Sequence, residues 1–422
     1  MSATLAPPAP AREATPPAPR AAAPPPRAKE RLLSLDVFRG MTVAGMLLVN
    51  NPGSWAAIYP PLAHAEWHGW TPTDLIFPFF LFIVGITTEL SLGARRAQGA
   101  TTGTLVRQLV RRGALIFLFG LALSAFPFFQ WGEIRGLPDP SFLDRVAYRF
   151  EHLRIMGVLQ RIGLAYIVAG LLTLRTTVKQ QVVVLAALLY GYWLAMTLLP
   201  VPGTDTIGLF LLGEPGHTLD AWLDRTLLTP AHLWAGGGGL RDPEGLLSTL
   251  PAAGSVMLGT LAGRWIGRRD HGLPERLNGL FAAGALAMMF GLMWHWVFPI
   301  NKSLWTSSYT LFTAGTAAVT LATVMWTVDV HRYAGWTRPF VWFGVNPMLA
   351  FIGSGIMARL IYSILKVDVG GRPVALQKAV HDALFASWLS PRNASLAFAL
   401  SFVGFWGALL WVAWRRNVVF KV

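Results

Sequence analysis

Thr73-Asp-Leu-Ile-Phe-Pro-Phe-Phe-Leu-Phe-Ile-Val-Gly-Ile-Thr-Thr-Glu-Leu-Ser-Leu-Gly93 has one acid at its head, one near its tail and no charge between them. A run of about 20 such residues is long enough for a helix to cross a hydrocarbon core of roughly 30 Å. In lipid each backbone amide must find its partner within its own segment, so this run calls for a helix. Working outward, similar runs recur at 33–52, 105–126, 154–174, 180–200, 246–267, 276–296, 305–328, 340–365 and 394–415, ten in all. The whole chain agrees: of 422 residues 54% are hydrophobic and 13% charged, with Trp 18 and Phe 25. The expected fold is all-α, a polytopic membrane protein built as a bundle of about ten transmembrane helices.

The net charge of +14 at first suggests a nucleic-acid partner. Its placement argues against one. Arg95, Arg96, Arg107, Arg111 and Arg112, then Arg175 and Lys179, Arg264, Arg268 and Arg269, Arg332 and Arg338, and Arg415, Arg416 and Lys421 all fall in alternate connections. By the positive-inside rule that side is cytoplasmic, and ten crossings put both termini there. The other connections, 53–72, 127–153, 201–245, 297–304 and 366–393, are poorer in basic residues and face outward. Residues 1–30, rich in Ala-Pro, have no apolar core of a signal peptide and read as a disordered cytoplasmic tail. Residues 31–422 form the membrane domain, whose longest outward loop is 201–245. With Cys 0, disulfides, thiolate metal sites and acyl-cysteine chemistry are excluded. The expected setting is a bacterial inner membrane with the loop before Asp74 on the periplasmic side.

That loop, His64-Ala-Glu-Trp-His-Gly-Trp-Thr-Pro-Thr-Asp74, concentrates titratable groups between two apolar runs and contains no Lys or Arg. Histidine suits proton transfer near neutrality, which makes His64 and His68 candidates for a general base. Two interfacial histidines anchored by Trp67 and Trp70 are the plainer reading. A zinc site is disfavoured because Ala65, not Glu66, follows the first histidine. Asp74 sits where a carboxylate caps a helix, and equally where it would orient a neighbouring imidazole.

Other polar residues stand inside apolar runs. Arg161, about two turns into the fourth run, should face a protein interior, with an anion or a ligand phosphate as partner. Asp36 and Arg39 can pair along the first helix. Asn50, Asn301, Lys302 and Asn346 are buried-amide or ligand candidates, and Asn346 beside Pro347 could instead satisfy freed backbone groups. Asp242 and Glu244 head the sixth run, where acids are ordinary. The Gly236–Gly239 run lacks the context of a phosphate loop. A short interfacial helix is expected around Asp220–Arg225, and no strong internal repeat supports an inverted-repeat transporter.

The motifs Arg31-Leu-Leu-Ser-Leu-Asp36-Val-Phe-Arg39-Gly40, Val49-Asn50, His64-Ala-Glu-Trp67-His-Gly69-Trp-Thr71, Asp74-Leu-Ile-Phe-Pro78-Phe, Leu153-Arg154-Ile-Met-Gly157-Val-Leu-Gln160-Arg161, Asp242-Pro-Glu-Gly245 and Asn301-Lys302-Ser-Leu-Trp305-Thr-Ser-Ser-Tyr309 occur in order. Together they resemble the catalytic domain of heparan-α-glucosaminide N-acetyltransferases and bacterial NagX-type relatives. The resemblance implies acetyl-CoA as co-substrate, an amino sugar or related glycan as acceptor, no metal, and His64 as the active histidine. The lysosomal enzyme has Asn where this chain has His68. The reading is then acyl transfer at the outer face with His64 as base, Asp74 orienting it and Asn50 as an oxyanion donor. Arg39, Arg161, Lys302, Asn301 and Gln160 are expected at acyl-CoA, and Trp67, His68, Asp242, Glu244 and Asn346 at the acceptor. A homodimer is compatible with this reading. An amino-sugar transporter is the competing class, and a membrane scaffold the third.

Overall fold

The computed structural model describes residues 32–420 apart from Arg135. The Ala-Pro stretch, Arg31 and Lys421 lie outside the described residues. Fifteen α-helices follow in order: α1 Leu33–Asn50, α2 Pro72–Ala97, α3 Thr102–Ala125, α4 Phe142–Glu151, α5 Val158–Arg175, α6 Val178–Leu198, α7 Gly208–Leu211, α8 Leu219–Leu228, α9 Thr249–Ile266, α10 Leu273–His295, α11 Ser307–Met325, α12 Arg338–Val345, α13 Pro347–Arg359, α14 Leu376–His381 and α15 Pro391–Arg415. Each of the ten apolar runs is helical, the ninth broken at Asn346 into α12 and α13. Among the described residues, 9 helices are long and apolar enough to cross a membrane. The sixth run, α9, is the exception, and its surroundings explain why. Gly, Ala, Ser and Thr residues along it are buried against neighbouring helices, so it has little need of apolar side chains.

Small residues let α9 approach α2 at backbone distance. A Cβ on Gly85 would stand 2.1 Å from the Val256 carbonyl oxygen, and one on Gly259 the same distance from that of Phe82. Helix association in lipid depends on this kind of close packing, because lipid tails solvate apolar side chains as well as a partner helix does. Around the pair, Phe77, Leu81, Leu159, Val256, Trp305 and Tyr309 share one core.

The connections poorer in basic residues gather at one end. The Gly53 amide donates to Ser395, Gly69 to Ile300 and Ile155 to His232. At the other end Arg264 grips Glu89 at 2.9 and 3.1 Å and Arg96 reaches the Leu174 carbonyl. Two elements at the loop end were not expected from sequence. Helix α4 lies in the 127–153 connection, and β1 Lys366–Val369 pairs antiparallel with β2 Arg372–Ala375 around Gly370 and Gly371, both at positive φ. The helix expected near Asp220 is present as α8, but Asp220, Ala221 and Asp224 are buried, so it is packed into protein and not laid on an interface.

Candidate active site

Helix α2 begins where Thr71-Pro72-Thr73-Asp74 supplies a cap residue, a proline and an acid in succession, the combination that starts a helix. The Asp74 carboxylate performs both roles that the sequence left open. Its Oδ2 accepts the backbone N–H groups of Thr71 and Ala65, each at 3.0 Å, which ties the loop to the helix start. Its Oδ1 lies 2.7 Å from His64 Nδ1. With the Nδ1 proton directed at the carboxylate, Nε2 keeps its lone pair and can act as a base. Asp74 is 1% exposed, so His64 rests on a buried anion while its own ring is open to a cavity. Tyr309 donates to the Asp74 carbonyl at 2.5 Å and fixes this first turn from below.

Lys302 is the neighbour whose place sequence reasoning did not foresee. Its Nζ is 3.1 Å from both His64 ring nitrogens and 3.7 Å from Asp74 Oδ1. It belongs to the His64 cluster, whereas Arg39 lies 11 residues before the loop end of α1, about 16 Å along the helix axis. Burial pulls the Lys302 ammonium below its usual range, although Asp74 and Glu244 favour its charge. Asn301, expected at acyl-CoA, is fully buried: its Oδ1 accepts from the Leu304 amide at 2.9 Å, closing the turn that presents Lys302. Its Nδ2 lies 3.3 Å from His68. Partial burial, then His295, hold the His68 imidazole below its usual range.

The cavity above His64 has a volume of about 500 Å³ and is walled by Asn50, Trp67, Arg154, Trp234, Arg241 and Glu244. Four of these come from the two loops at 126–157 and 199–248, and a charge cluster joins those loops. Arg154 grips Asp242 through Nε and Nη2 at 2.8 and 2.6 Å and reaches Glu244 at 2.5 Å. Burial opposes the Arg154 charge, but the Asp242 hydrogen bond and then Glu244 raise the guanidinium above its usual value. Burial likewise opposes the Glu244 charge, and Arg154, Arg161 and Lys302 hold its carboxyl below the usual range. The two acids therefore face Arg154, with Glu244 alone also bordering the cavity. Trp67 forms a wall: its Nε1 donates to the Leu212 carbonyl at 2.8 Å and Arg241 stacks on its ring at 4.9 Å. Arg154 was quoted in a motif without a role. The signal was the surplus of acids in the 201–245 connection, where Asp205, Glu214, Asp220, Asp224, Asp242 and Glu244 face only Arg225 and Arg241 in sequence.

The remaining predicted residues are dispersed. Helix α5 starts at Val158, not at 154, so Arg161 is in its first turn and at the loop end. It is fully buried, donates to Ser248 Oγ at 2.5 Å and packs 5.1 Å over the Trp305 ring, while its Nε and Nη1 have no hydrogen-bond partner among the described residues. Asn346, expected at the acceptor, donates to the Val418 carbonyl and accepts from the Phe420 amide, both at 2.9 Å, at the end remote from His64. There the break beside Pro347 is satisfied by the chain itself. Asn50 and Gln160 line a second, smaller chamber beside the first. Arg39 borders a third cavity at the basic end, of about 410 Å³, with Arg95, Arg112, Thr87, Ser91 and Phe420. Glu66 is exposed on the His64 cavity rim, and among the described residues no three His, Asp or Glu side chains are grouped to hold a metal ion.

The sequence pattern described as "Heparan-alpha-glucosaminide N-acetyltransferase, catalytic" matches residues 31–278, which include His64, Asp74, Arg154, Asp242 and Glu244. The chain is 28% identical over 368 residues to the heparan-alpha-glucosaminide N-acetyltransferase of Homo sapiens, covering 76% of this chain and 52% of that protein. Against the Mus musculus protein of the same name, identity is 28% over 374 residues, with 78% and 54% covered. The chain thus spans about half the length of the curated relatives it matches. Because the pattern runs through more than half of the chain, the protein belongs to the heparan-alpha-glucosaminide N-acetyltransferase catalytic-domain family.

Proposed function

We propose that this protein is a membrane-embedded acyltransferase that moves an acetyl group from acetyl-CoA to an amino sugar or related glycan. His64 would be the general base, and the loop end of the bundle would face the periplasm of a bacterial inner membrane. The observation that carries this reading is the buried Asp74 carboxylate fixing His64 Nδ1 while the ring borders a cavity large enough for a sugar. His64 Nε2 accepts a proton from the acceptor amine as its nitrogen attacks the thioester carbon. The new C–N bond forms, the C–S bond breaks, and the proton is passed on to the departing thiolate. Asn50, exposed on the same cavity, would donate to the oxyanion. Lys302, released from the ring as the substrate enters, would add a positive charge on that side.

The donor would approach from the basic end. Arg39, Arg95 and Arg112 border a cavity suited to the CoA phosphates. Phe77 on α2 and Phe351 on α13 line the His64 cavity, and Phe80 and Met348, one turn away on the same helices, line the basic-end cavity. The acyl-pantetheine arm would thread between these helices. The decisive experiment uses purified protein, radiolabelled acetyl-CoA and glucosamine. Transfer should proceed in the wild type and fall by about 10²-fold or more in His64→Ala. Wild-type transfer by His64→Ala would end the reading. Cavities at both ends of the bundle also suit an amino-sugar transporter. Accumulation of unmodified N-acetylglucosamine in proteoliposomes without acyl-CoA would favour transport, and acceptor-dependent CoA release would favour the enzyme.

A further inference from the structure

Beside the His64 cavity lies a chamber of about 250 Å³ that shares Asn50, Arg154, Val158 and Phe351 with it. Its cations differ sharply in how they are held. Arg154 faces two carboxylates, but Arg359, in the last turn of α13, has its hydrogen bond at 3.1 Å to the Gly355 carbonyl of its own helix. Among the described residues no carboxylate pairs with Arg359. The charged group that bears on it is a second guanidinium, Arg149, whose donors are taken up by the Ala125 and Phe126 carbonyls. A cation inside a membrane-spanning helix is expected to have an anionic partner. Gln160 lines the same chamber and is 2% exposed, and its buried Nε2 has no hydrogen-bond partner. Its Oε1 lies against Gly120 and Gly157, where an added Cβ would come within 2.3 and 2.9 Å, so the amide has little room to turn away. A buried amide donor without a partner is costly unless something arrives to accept from it.

We propose that Arg359 and Gln160 form an anion subsite for the acceptor, which takes a carboxylate, sulfate or phosphate group borne on a sugar while the reacting amine lies at His64. The inference rests on the acyltransferase reading for the identity of the ligand, but not for the existence of the site. A planar guanidinium and an amide N–H converge on oxyanion groups of this kind, and each such group accepts several hydrogen bonds. The neighbouring hydroxyls of Ser124 and Ser354 and the amide of Asn50 suit the rest of a hydroxylated ring.

The test uses the purified full chain and two sets of sugars. Methyl glucuronide and methyl glucoside lack an amine, so calorimetry reads their binding without transfer. The wild type should bind the glucuronide about tenfold more tightly, and Arg359→Gln should abolish the difference. Gln160→Leu should reduce it a few-fold, and Arg359→Lys should retain part of it, which guards against a variant that merely misfolds. In transfer assays, glucosamine 6-sulfate and glucosamine 6-phosphate should exceed glucosamine in kcat/KM by about tenfold, and the ratio should approach one in Arg359→Gln. The sulfate and phosphate arms separate the two sources of charge from the carboxylate. No preference in the wild type, or an equal loss for charged and neutral sugars in Arg359→Gln, would overturn the subsite. So would an Arg359→Gln defect confined to the KM for acetyl-CoA, since the chamber would then serve the donor. Arg359-dependent glucuronide binding without transfer to any amino sugar would leave the subsite standing and remove the acyltransferase reading.

Discussion

The two ends of the bundle handle positive charge in opposite ways. At the loop end Arg154 is locked between Asp242 and Glu244, and Lys302 stands over the His64–Asp74 pair. At the basic end Arg95 and Arg112 are exposed, one bonded to Gln108 and the other stacked on Tyr166, and Arg39 donates to the Gly344 carbonyl with Asp36 3.6 Å away. An end whose charges are neutralised in fixed geometry is preorganised for chemistry. An end with cations at a cavity rim can receive a polyanion and release it again. The contrast teaches that the count of Arg and Lys is a poor guide to ligand sites. The partners decide.

Breaking the paired end should have the largest effect. Arg154→Met leaves Asp242 and Glu244 buried and unpaired, with an expected loss of about 3–5 kcal/mol in chemical or thermal unfolding. A variant as stable as the wild type would mean that the cluster is not what joins the two outer loops. Next, Asp74→Asn keeps the cap but can offer His64 the wrong hydrogen-bond partner. Transfer should fall by roughly 10²-fold in kcat, and an unchanged rate would show that Asp74 only caps its helix.

Arg112→Gln probes the other end. The expected outcome is a roughly tenfold rise in the KM for acetyl-CoA, more pronounced at low salt, with unfolding unchanged. Loss of stability with an unchanged KM would reverse the contrast drawn between the ends. Lys302→Met sharpens it further. Without the ammonium 3.1 Å from the ring, kcat should fall by about tenfold, and an unchanged kcat would show that Lys302 only packs against His64.

The smallest effect concerns Asp224, which borders the paired end without a cationic partner of its own. Burial, and then Asp220 and Asp242, push its carboxyl up to about 7, against the hydrogen bond it accepts from Leu246. The folded protein therefore binds a proton that the unfolded chain has lost, and stability declines as pH rises from about 4 to about 7. Asp224→Asn should flatten that slope and gain on the order of 1 kcal/mol at pH 8. An unaltered profile would show that Asp224 is ionised in the folded protein.

The helices were legible because about 20 apolar residues in a row leave the backbone no alternative in lipid, and every run proved helical. Helix α9 shows where hydropathy weakens as a guide: a helix enclosed by protein is selected for small residues, not for oiliness. The β1–β2 hairpin escaped notice because two four-residue strands around Gly370-Gly371 give too short a pattern. At the site, His64 and Asp74 were readable because they lie 10 residues apart in one loop and helix start. Lys302 meets His64 across 238 positions of sequence, and no local spacing encodes that contact. Arg161 and Asn346 were polar residues in apolar runs, and each finds a partner within the chain itself. A buried polar group states that it has a partner, without stating whether the partner is a ligand or the chain.

The Asn346 clasp has a practical side. By holding Val418 and Phe420 against the break between α12 and α13, it makes Val419 and Phe420, beyond the end of α15, a wall of the cavity that contains Arg39. A fluorescent protein or affinity tag fused just beyond Phe420 would hang from that wall, and a loss of acetyl-CoA binding in such a fusion would report on the attachment point rather than on the enzyme.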